Sequence, residues 1–574
     1  MKPENASSHL DTRKDQMGLK KGLTNYGDPE FSVYIRKAFA KAMGYSDYEL
    51  ARPIVGIINT FSGFNSCHHN FNDLIEAVKR GVLSQGGLPV EFPTISLGEM
   101  FTAPTTMMFR NLMAMDTEEM IYAQPMDGVV LLGGCDKTVP AQLMGTISAD
   151  VPAISLVSGP MITGDYQGER LGACTDCRRF WSEYRAGRLD AVELARVTDR
   201  LCSSTGTCMV MGTASTMAAL AEALGMMLPG GAAIPAVMAE RRRHAEATGR
   251  AIMDAIRNDH RPSKILTRQS LENAMCVLMG IGGSTNAIIH LTAIARRLDI
   301  PLHLNDFDRV GDQTPVLVSV KPNGEYYMED LWKAGGLPTV MKELEDSLHT
   351  DALTISGRTV DENLAKVSRP AEWQNVIKPR TNPLLENSGL ACLFGNLAPE
   401  GAVIKRSAAS PRMLNHRGPA VVFRSLDELH NRIDDPDLPV TADSVIVLQN
   451  AGPIGGPGMP EAGYLPIPKK LLQAGVKDMV RISDARMSGT AFGTVVLHIS
   501  PEAAVGGPLA LVQDGDEIEL DVLNKRLQLR VDEHTLAKRR EQLVLPAPQF
   551  QRGYGKLYID HVEQAHLGCD FDFL

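Results

Sequence analysis

At 574 residues the chain is too long for one ordinary hydrophobic core and predicts two or three domains. Hydrophobic residues at 44% and charged residues at 22% give a globular balance, and a net charge of −10 offers no general attraction to nucleic acid or an anionic membrane. No apolar run is long enough to span a bilayer, and nine cysteines, an odd number scattered along the chain, do not resemble a secreted disulfide framework.

The N-terminal stretch MKPENASSHLDTRKDQMGLKKG lacks the apolar core of a signal peptide and carries Glu4, Asp11 and Asp15; it reads as the polar arm of a cytoplasmic protein. From Arg52 to Leu302, β-rich runs such as RPIVGIINT, DGVVLLGG and VPAISLVSG alternate with helical patterns. That alternation predicts βαβ units, hence an α/β fold with a mainly parallel sheet in an N-terminal domain over 1–380. After Thr381 the character changes to short strands (PAVVFRS, SVIVLQN, DMVRIS, TVVLHIS) separated by Gly, Pro, Asn and Asp, which predicts a β-barrel-like domain over 381–574. Its clearest hairpin is EIELDVLNKRLQLRV, turning at Asn524-Lys525.

Three cysteines sit in polar, glycine-rich loops of the kind that gather at the carboxyl edge of a parallel sheet: Cys67 in NTFSGFNSCHHN, Cys135 in GGCDKT, and Cys208 in SSTGTCMVMGTASTM ahead of a long amphipathic helix. Three thiolates fall short of the four ligands an iron–sulfur cluster usually takes, so such a site leaves one iron position for substrate oxygen. Cys174 and Cys177 form the one Cys-x-x-Cys pair, a zinc or redox candidate without a second pair, and read as structural. Cys202, Cys276, Cys392 and Cys569 have no chemical neighbourhood and read as small hydrophobes.

Asp136 adjoins Cys135, while Glu99 (PTISLGEMFTAPT) and Glu461 (GGPGMPEAGY) stand in Gly/Pro-rich loops; such oxygen donors suit Mg²⁺, although isolated loop acids are ordinarily just solvated. Lys137 would repel a cation unless its amine, made neutral by burial, takes up carbon dioxide as a carbamate; the alternative is a lysine paired with Asp136 or a substrate carboxylate. Ser488-Gly489-Thr490 follows a strand-like run, and a serine there acts as a base only if its alkoxide is stabilised. GPIGGPG at 452–458 is neither a dinucleotide fingerprint nor a P-loop, and no G-x-S-x-G elbow is present.

GCDKT, CSSTGTCMVMGTASTM, GPGMPE and SDARMSGT, in that order, resemble the dihydroxy-acid and sugar-acid dehydratases, a family that includes phosphogluconate dehydratase. The resemblance covers nearly the whole chain. It implies a 2Fe-2S cluster on Cys67, Cys135 and Cys208, Mg²⁺ on Glu99, Asp136, carbamylated Lys137 and Glu461, Ser488 as base with Thr490 beside it, and a homo-oligomer, dimer or tetramer. The implied reaction removes water from a 2,3-dihydroxy acid to give a 2-keto-3-deoxy acid. Branched-chain members typically show Thr-Pro-Cys-Asn and Cys-Asp-Lys-Asn where this chain has Asn65-Ser66-Cys67-His68 and Cys135-Asp136-Lys137-Thr138, so a sugar acid, a pentonate such as arabinonate or xylonate, is the expected small-molecule substrate. His68 and His69 could contact its hydroxyls or orient the cluster loop. The rival readings are a branched-chain dihydroxy-acid dehydratase, a non-catalytic iron–sulfur redox sensor, and a zinc protein built on Cys174 and Cys177.

Overall fold

The computed structural model describes residues 17–23 and 26–574, so most of the N-terminal arm lies outside the described residues. Four parallel strands, β1 (Ile54–Asn59), β2 (Leu88–Pro93), β3 (Gly128–Leu132) and β4 (Ala153–Leu156), form a sheet in the order β2-β1-β3-β4. β1, β3 and β4 are the apolar runs expected from sequence and are buried almost throughout, as parallel strands covered by helices must be. β2, LPVEFP, was not among those runs; its prolines are tolerated because it lies at the sheet edge. Helices Phe71–Ser84 and Ala239–Arg257 pack on the strands and on each other, and Thr138–Ala149 packs on β3 and on Arg110–Ala123.

A short hairpin, β5 (Gly164–Tyr166) with β6 (Glu169–Leu171), precedes helix Thr175–Arg185. The helix after Cys208, Thr213–Ala223, is shorter than expected and is not amphipathic: every residue but Ala214 is buried, because it is enclosed by helices Thr138–Ala149, Arg268–Gly280 and Asn286–Arg297.

The later strands close into a barrel in the order β10-β11-β12-β8-β7-β14-β13-β9. They are β7 (Ala391–Gly395), β8 (Ala398–Ile404), β9 (Asn415–Phe423), β10 (Val445–Leu448), β11 (Arg481–Ser483), β12 (Val495–Ser500), β13 (Glu517–Asp521) and β14 (Arg526–Leu529). Alternation sorts the side chains: Ala420, Val422, Val445 and Val447 join the cluster that fills the barrel, while Val421, Phe423, Ile446 and Leu448 join another. β13 and β14 form the expected hairpin. Lys525 takes a left-handed φ of 54° in its turn, and Val522 belongs to that turn instead of the strand.

The two parts share apolar packing. The cluster that begins at Val55 reaches Cys392 and Val403 of the barrel strands. The C-terminal stretch RGYGKLYIDHV is largely a helix, Gly553–His561; Tyr558 packs in a cluster with Met107, Met108, Ile289 and Met459, so the helix clasps both halves.

Two buried carboxyls at the barrel end shape the following loops. Asp484 accepts from the amides of Ala451 and Ala503, both at 2.9 Å. Glu502 accepts from the amides of Ile454 (3.0 Å) and Gly455 (2.9 Å) and from the Gln564 side chain (2.9 Å). Burial raises Asp484 to about 6; burial and the Asp484 charge raise Glu502 to about 7. Both bind protons more tightly folded than unfolded. Their contribution to stability is therefore complete below about pH 4 and is lost as pH rises through about 6–7. The melting temperature is expected to fall between pH 5 and pH 8 with a smaller decline in Glu502→Gln; equal slopes for the two proteins in thermal unfolding at several pH values would contradict this.

Candidate active site

The site forms where the sheet order reverses, between β1 and β3, at the carboxyl ends of the strands. β1 leads into the turn Ser66–His68 that carries Cys67, and β3 leads directly into Cys135, Asp136 and Lys137. The chain after β4 fixes the loop of Cys208: the amide of Met161 donates to the Thr207 carbonyl (2.9 Å), Thr207 donates to Gly159 (3.0 Å), and Gly206 donates to Ser66 (3.1 Å). Gly134 permits the closeness, since a Cβ there would lie 2.4 Å from Ser158 Oγ and 2.7 Å from the Cys67 carbonyl oxygen.

The Cys67 and Cys135 thiols are in hydrogen-bonding contact, and Cys208 feels the charge of Cys67. Contact with a neighbouring sulfur, together with burial, raises Cys135 and Cys208 well above an ordinary thiol, so only a bound cation would favour their ionisation. Among the described residues, the one set of three His, Cys, Asp or Glu ligand atoms within 4.8 Å of one another is Glu99, Asp136 and Glu461. The thiols are thus too spread to share one ion, and their donor set fits a cluster with two irons better than a zinc site. Cys174, read from sequence as structural, departs from expectation: its Sγ lies 3.0 Å from Cys208 Sγ. Cys177 accepts from the Cys174 amide (3.3 Å); Cys276, Cys392 and Cys569 are buried as expected, whereas Cys202 is exposed because it follows a surface helix.

His68 and His69 do not line the cavity described below. His68 is fully enclosed; Nε2 accepts from the amides of Gly134 (3.1 Å) and Cys135 (2.9 Å), so the proton sits on Nδ1, 2.9 Å from the Thr60 carbonyl. Burial lowers its pKa to about 4, which keeps the ring neutral. These bonds orient the cysteine loop. His69 is exposed and lies against Phe61.

Lys137 is completely buried and faces all three acids: Nζ bonds Asp136 and stands 3.7 Å from Glu99 and 3.9 Å from Glu461. Arg486, unnoticed in the sequence, is equally buried and bridges Glu461 (2.6 Å) and Glu99 (3.3 Å) while donating to Thr105. Burial pushes Glu99 up, but Arg486 and Lys137 overcome it and hold the carboxyl at about 2. Burial keeps Glu461 above its ordinary value. Three carboxylates so gathered, countered by two cations, fit a hard divalent ion.

Ser488 Oγ lies 2.8 Å from Thr490 Oγ1 on a tightly fixed loop. Asn286 donates to the Met487 carbonyl (3.1 Å), Thr175 to that of Thr490 (3.0 Å), and buried Lys405 to that of Gly489 (3.3 Å). A Cβ on Gly489 would lie 2.6 Å from Ser284 Cβ and 3.1 Å from the Thr213 amide nitrogen, so helix Thr213–Ala223 points its positive N-terminus at this loop. A cavity of about 1000 Å³ opens here; Ser488, Glu461, Cys174, Arg178, Tyr464 and Trp181 are on its wall.

The sequence matches the family of dihydroxy-acid/6-phosphogluconate dehydratases through its N-terminal part over residues 52–363 and its C-terminal part over 375–569. The chain belongs to that family and is a dehydratase, a hydro-lyase. It is 48% identical to the L-arabinonate dehydratase of Rhizobium leguminosarum bv. trifolii (strain WSM2304), over 96% of this chain and 95% of the relative. It is also 48% identical to the 6-deoxy-6-sulfo-D-gluconate dehydratase of Pseudomonas putida (92% and 91% covered). A dihydroxy-acid dehydratase of Syntrophobacter fumaroxidans (strain DSM 10017 / MPOB) is 40% identical (93% and 96% covered).

Arg486→Gln removes one of the two cations that Glu99 and Glu461 share, the one that bonds both directly, a change that costs about 3 kcal/mol when a buried pair is broken. Its melting temperature should drop by several degrees and its turnover should be lost; a variant with unchanged melting temperature would contradict the bridging role.

Proposed function

We propose that this dehydratase acts on a sugar acid, an aldonate and specifically a pentonate such as L-arabinonate or D-xylonate, converting it to the 2-keto-3-deoxy acid. The observation that carries the reading is the gathering of Glu99, Asp136 and Glu461 within 4.8 Å of one another, with Glu461 reaching the wall of the same cavity as Ser488. Two of the relatives named above bear sugar-acid names at 48% identity, against 40% for the dihydroxy-acid dehydratase. The cavity wall agrees with this choice. Arg178 lies with its guanidinium 5.0 Å from the Tyr464 ring, its Nε buried without a hydrogen-bond partner, a donor suited to the hydroxyls that a branched-chain acid lacks.

Cys67, Cys135 and Cys208 would hold a 2Fe-2S cluster, and Glu99, Asp136, Glu461 and Lys137 as a carbamate would hold Mg²⁺. When bound, these groups supply Lewis-acid polarisation of substrate oxygens and acidify the C2 proton. Ser488, as the alkoxide, takes that proton. Thr490 and the N-terminus of helix Thr213–Ala223 stabilise the charge on Ser488. The C2–H electron pair forms the C2=C3 bond as the C3–O bond breaks, the departing hydroxide takes the proton held on Ser488 Oγ and leaves as water, which restores the alkoxide, and the enol tautomerises to the ketone.

A division into domains over 1–380 and 381–574 is supported by the strand order, with β1–β6 before the boundary and β7–β14 after it. A homo-oligomer is supported by exposed apolar side chains on and beside helix Pro29–Ala42, among them Tyr34, Phe39 and Met43, and by Phe64, Met100 and Phe101 near the site. Among the described residues no helix is long and apolar enough to cross a membrane, and nine free cysteines favour a reducing compartment, the cytoplasm.

The test is keto-acid formation, without oxygen, from arabinonate, xylonate, gluconate and 2,3-dihydroxyisovalerate. Turnover is expected on the pentonates; activity confined to dihydroxyisovalerate would overturn the substrate choice, and no turnover on any acid would favour a sensor. In the same assay Ser488→Ala should keep its iron and lose activity about 1000-fold or more. Near-normal turnover would remove Ser488 as the base.

A further inference from the structure

We infer that Lys405 is a positioning residue of the reaction: its ammonium, held beneath the Ser488 loop with no acid of its own, stabilises the alkoxide of Ser488. This rests on the reading of Ser488 as the base. Lys405 follows β8 directly, and β8 lies beside β12 in the barrel, so the lysine stands where the chain between β11 and β12 carries Ser488 out of the sheet. Its side chain is fully enclosed, and Nζ donates to the carbonyl of Gly489, the residue next to Ser488, at 3.3 Å.

A buried charge is ordinarily paired, and other enclosed cations of this barrel end and of the acid group obey that rule. Arg481 has Asp478, Arg486 has Glu99 and Glu461, and Lys137 has three acids. Among the described residues Lys405 forms no ion pair, and the bond to Gly489 is the one hydrogen bond of its Nζ. The charged groups of the adjoining segments are engaged elsewhere. Asp478 holds Arg481 and Thr494, Asp308 and Asp312 hold Lys525, and Arg406 turns its Nε to the Ser388 carbonyl. Burial acts on the Lys405 amine unopposed and lowers it to about 7.

Such an ammonium is poorly stabilised until a negative charge forms nearby, and the alkoxide of Ser488 is the charge the reaction brings there. In a water-poor interior the attraction is strong and reciprocal: the cation makes the serine hydroxyl more acidic, and the alkoxide holds the proton on the amine. The separation is fixed by the backbone. Ser407 Oγ donates to Asn323 Oδ1 (2.8 Å), the Ser407 amide donates to the Gly389 carbonyl (3.1 Å), and the Gly493 amide, beyond Ser488, donates to the Ala408 carbonyl (2.8 Å). Lysine and serine loop thus hang from one turn. Lys405 does not line the cavity, so it acts on the base and not on the substrate.

The experiment measures kcat and KM of the holoenzyme without oxygen, from about pH 6 to about pH 10, for wild type, Lys405→Met, Lys405→Gln, Ser488→Ala and the Lys405→Met/Ser488→Ala double variant. The substrate is whichever acid of the panel above wild type turns over fastest. Lys405→Met, of similar length but uncharged, should lower kcat about 100-fold near pH 7, the effect of about two pKa units on the base, with KM little changed. That loss should shrink as pH rises, because the alkoxide then forms without the cation. Glu461, Arg178 and the other charged groups on the cavity wall with Ser488 are the same in wild type and in the Lys405 variants, so the difference between their profiles reports Lys405. The melting temperature of Lys405→Met should hold or rise, since an unpaired buried charge is removed. Lys405→Gln keeps a donor for the Gly489 carbonyl without the charge and should show the same pH-dependent loss, which also keeps the test intact if Lys405→Met fails to fold. Adding Lys405→Met to Ser488→Ala should lower the rate no further. A wild-type rate and profile in Lys405→Gln, a loss in Lys405→Met equal at every pH, or a further loss in the double variant would overturn the assignment and leave Ser488 as the base. Near-normal turnover in Ser488→Ala would overturn the base itself, and this assignment with it.

Discussion

The two hydrogen bonds from the Gly134 and Cys135 amides to His68 Nε2 join the loops after β1 and β3, the adjacent strands at which the sheet order reverses. Everything in the site depends on that junction. It brings Cys67 to Cys135, and because Asp136 and Lys137 follow at once, it also sets one side of the acid group. The interaction is built into a water-free interior, where a neutral imidazole with both nitrogens satisfied is stable and a charged one is not. His68 is the pin that holds these loops in register, the second of the two roles its place in the sequence allowed.

The second constraint is electrostatic. Glu99, Asp136 and Glu461 come from three separate loops and would repel one another if left alone in a buried space. Arg486, and Lys137 for as long as its amine stays an ammonium, offset that repulsion, and Thr105 and Thr106 add hydrogen bonds to Glu99. Glu461 reaches the group only because Asp484 and Glu502 anchor the loop leading to it, from the ends of barrel strands β11 and β12. The barrel thus does more than bring Ser488 to the cavity: it closes the acid site opposite the parallel sheet.

Much of this was legible in the sequence. Val- and Ile-rich runs marked β1, β3 and β4 and strands β9–β12, because buried strands need continuous or alternating apolar residues. The loops carrying Cys67, Cys135, Glu461 and Ser488 were marked by glycine and polar residues after such runs. What was missed depended on long-range geometry. The edge strand β2 is interrupted by proline, and β7 and β8 contain glycine, alanine and proline that local propensity reads as loop. Arg486 looks like any surface arginine until its partners from distant segments enclose it. The contact of Cys174 with Cys208 left no sign in the sequence, because it depends on the positive φ that Cys174 adopts and on a loop 34 residues further along the chain.

The most direct test of the account is a structure of the protein prepared without oxygen, with a pentonate or its 2-keto-3-deoxy product bound. The ligand should lie in the cavity with its carboxylate end at Glu99, Asp136 and Glu461 and with Ser488 Oγ within about 3.5 Å of C2, a reactive separation. A sugar acid bound away from the acid group, or one that leaves Ser488 out of reach of C2, would contradict the claim that thiols, acids and serine serve one dehydration.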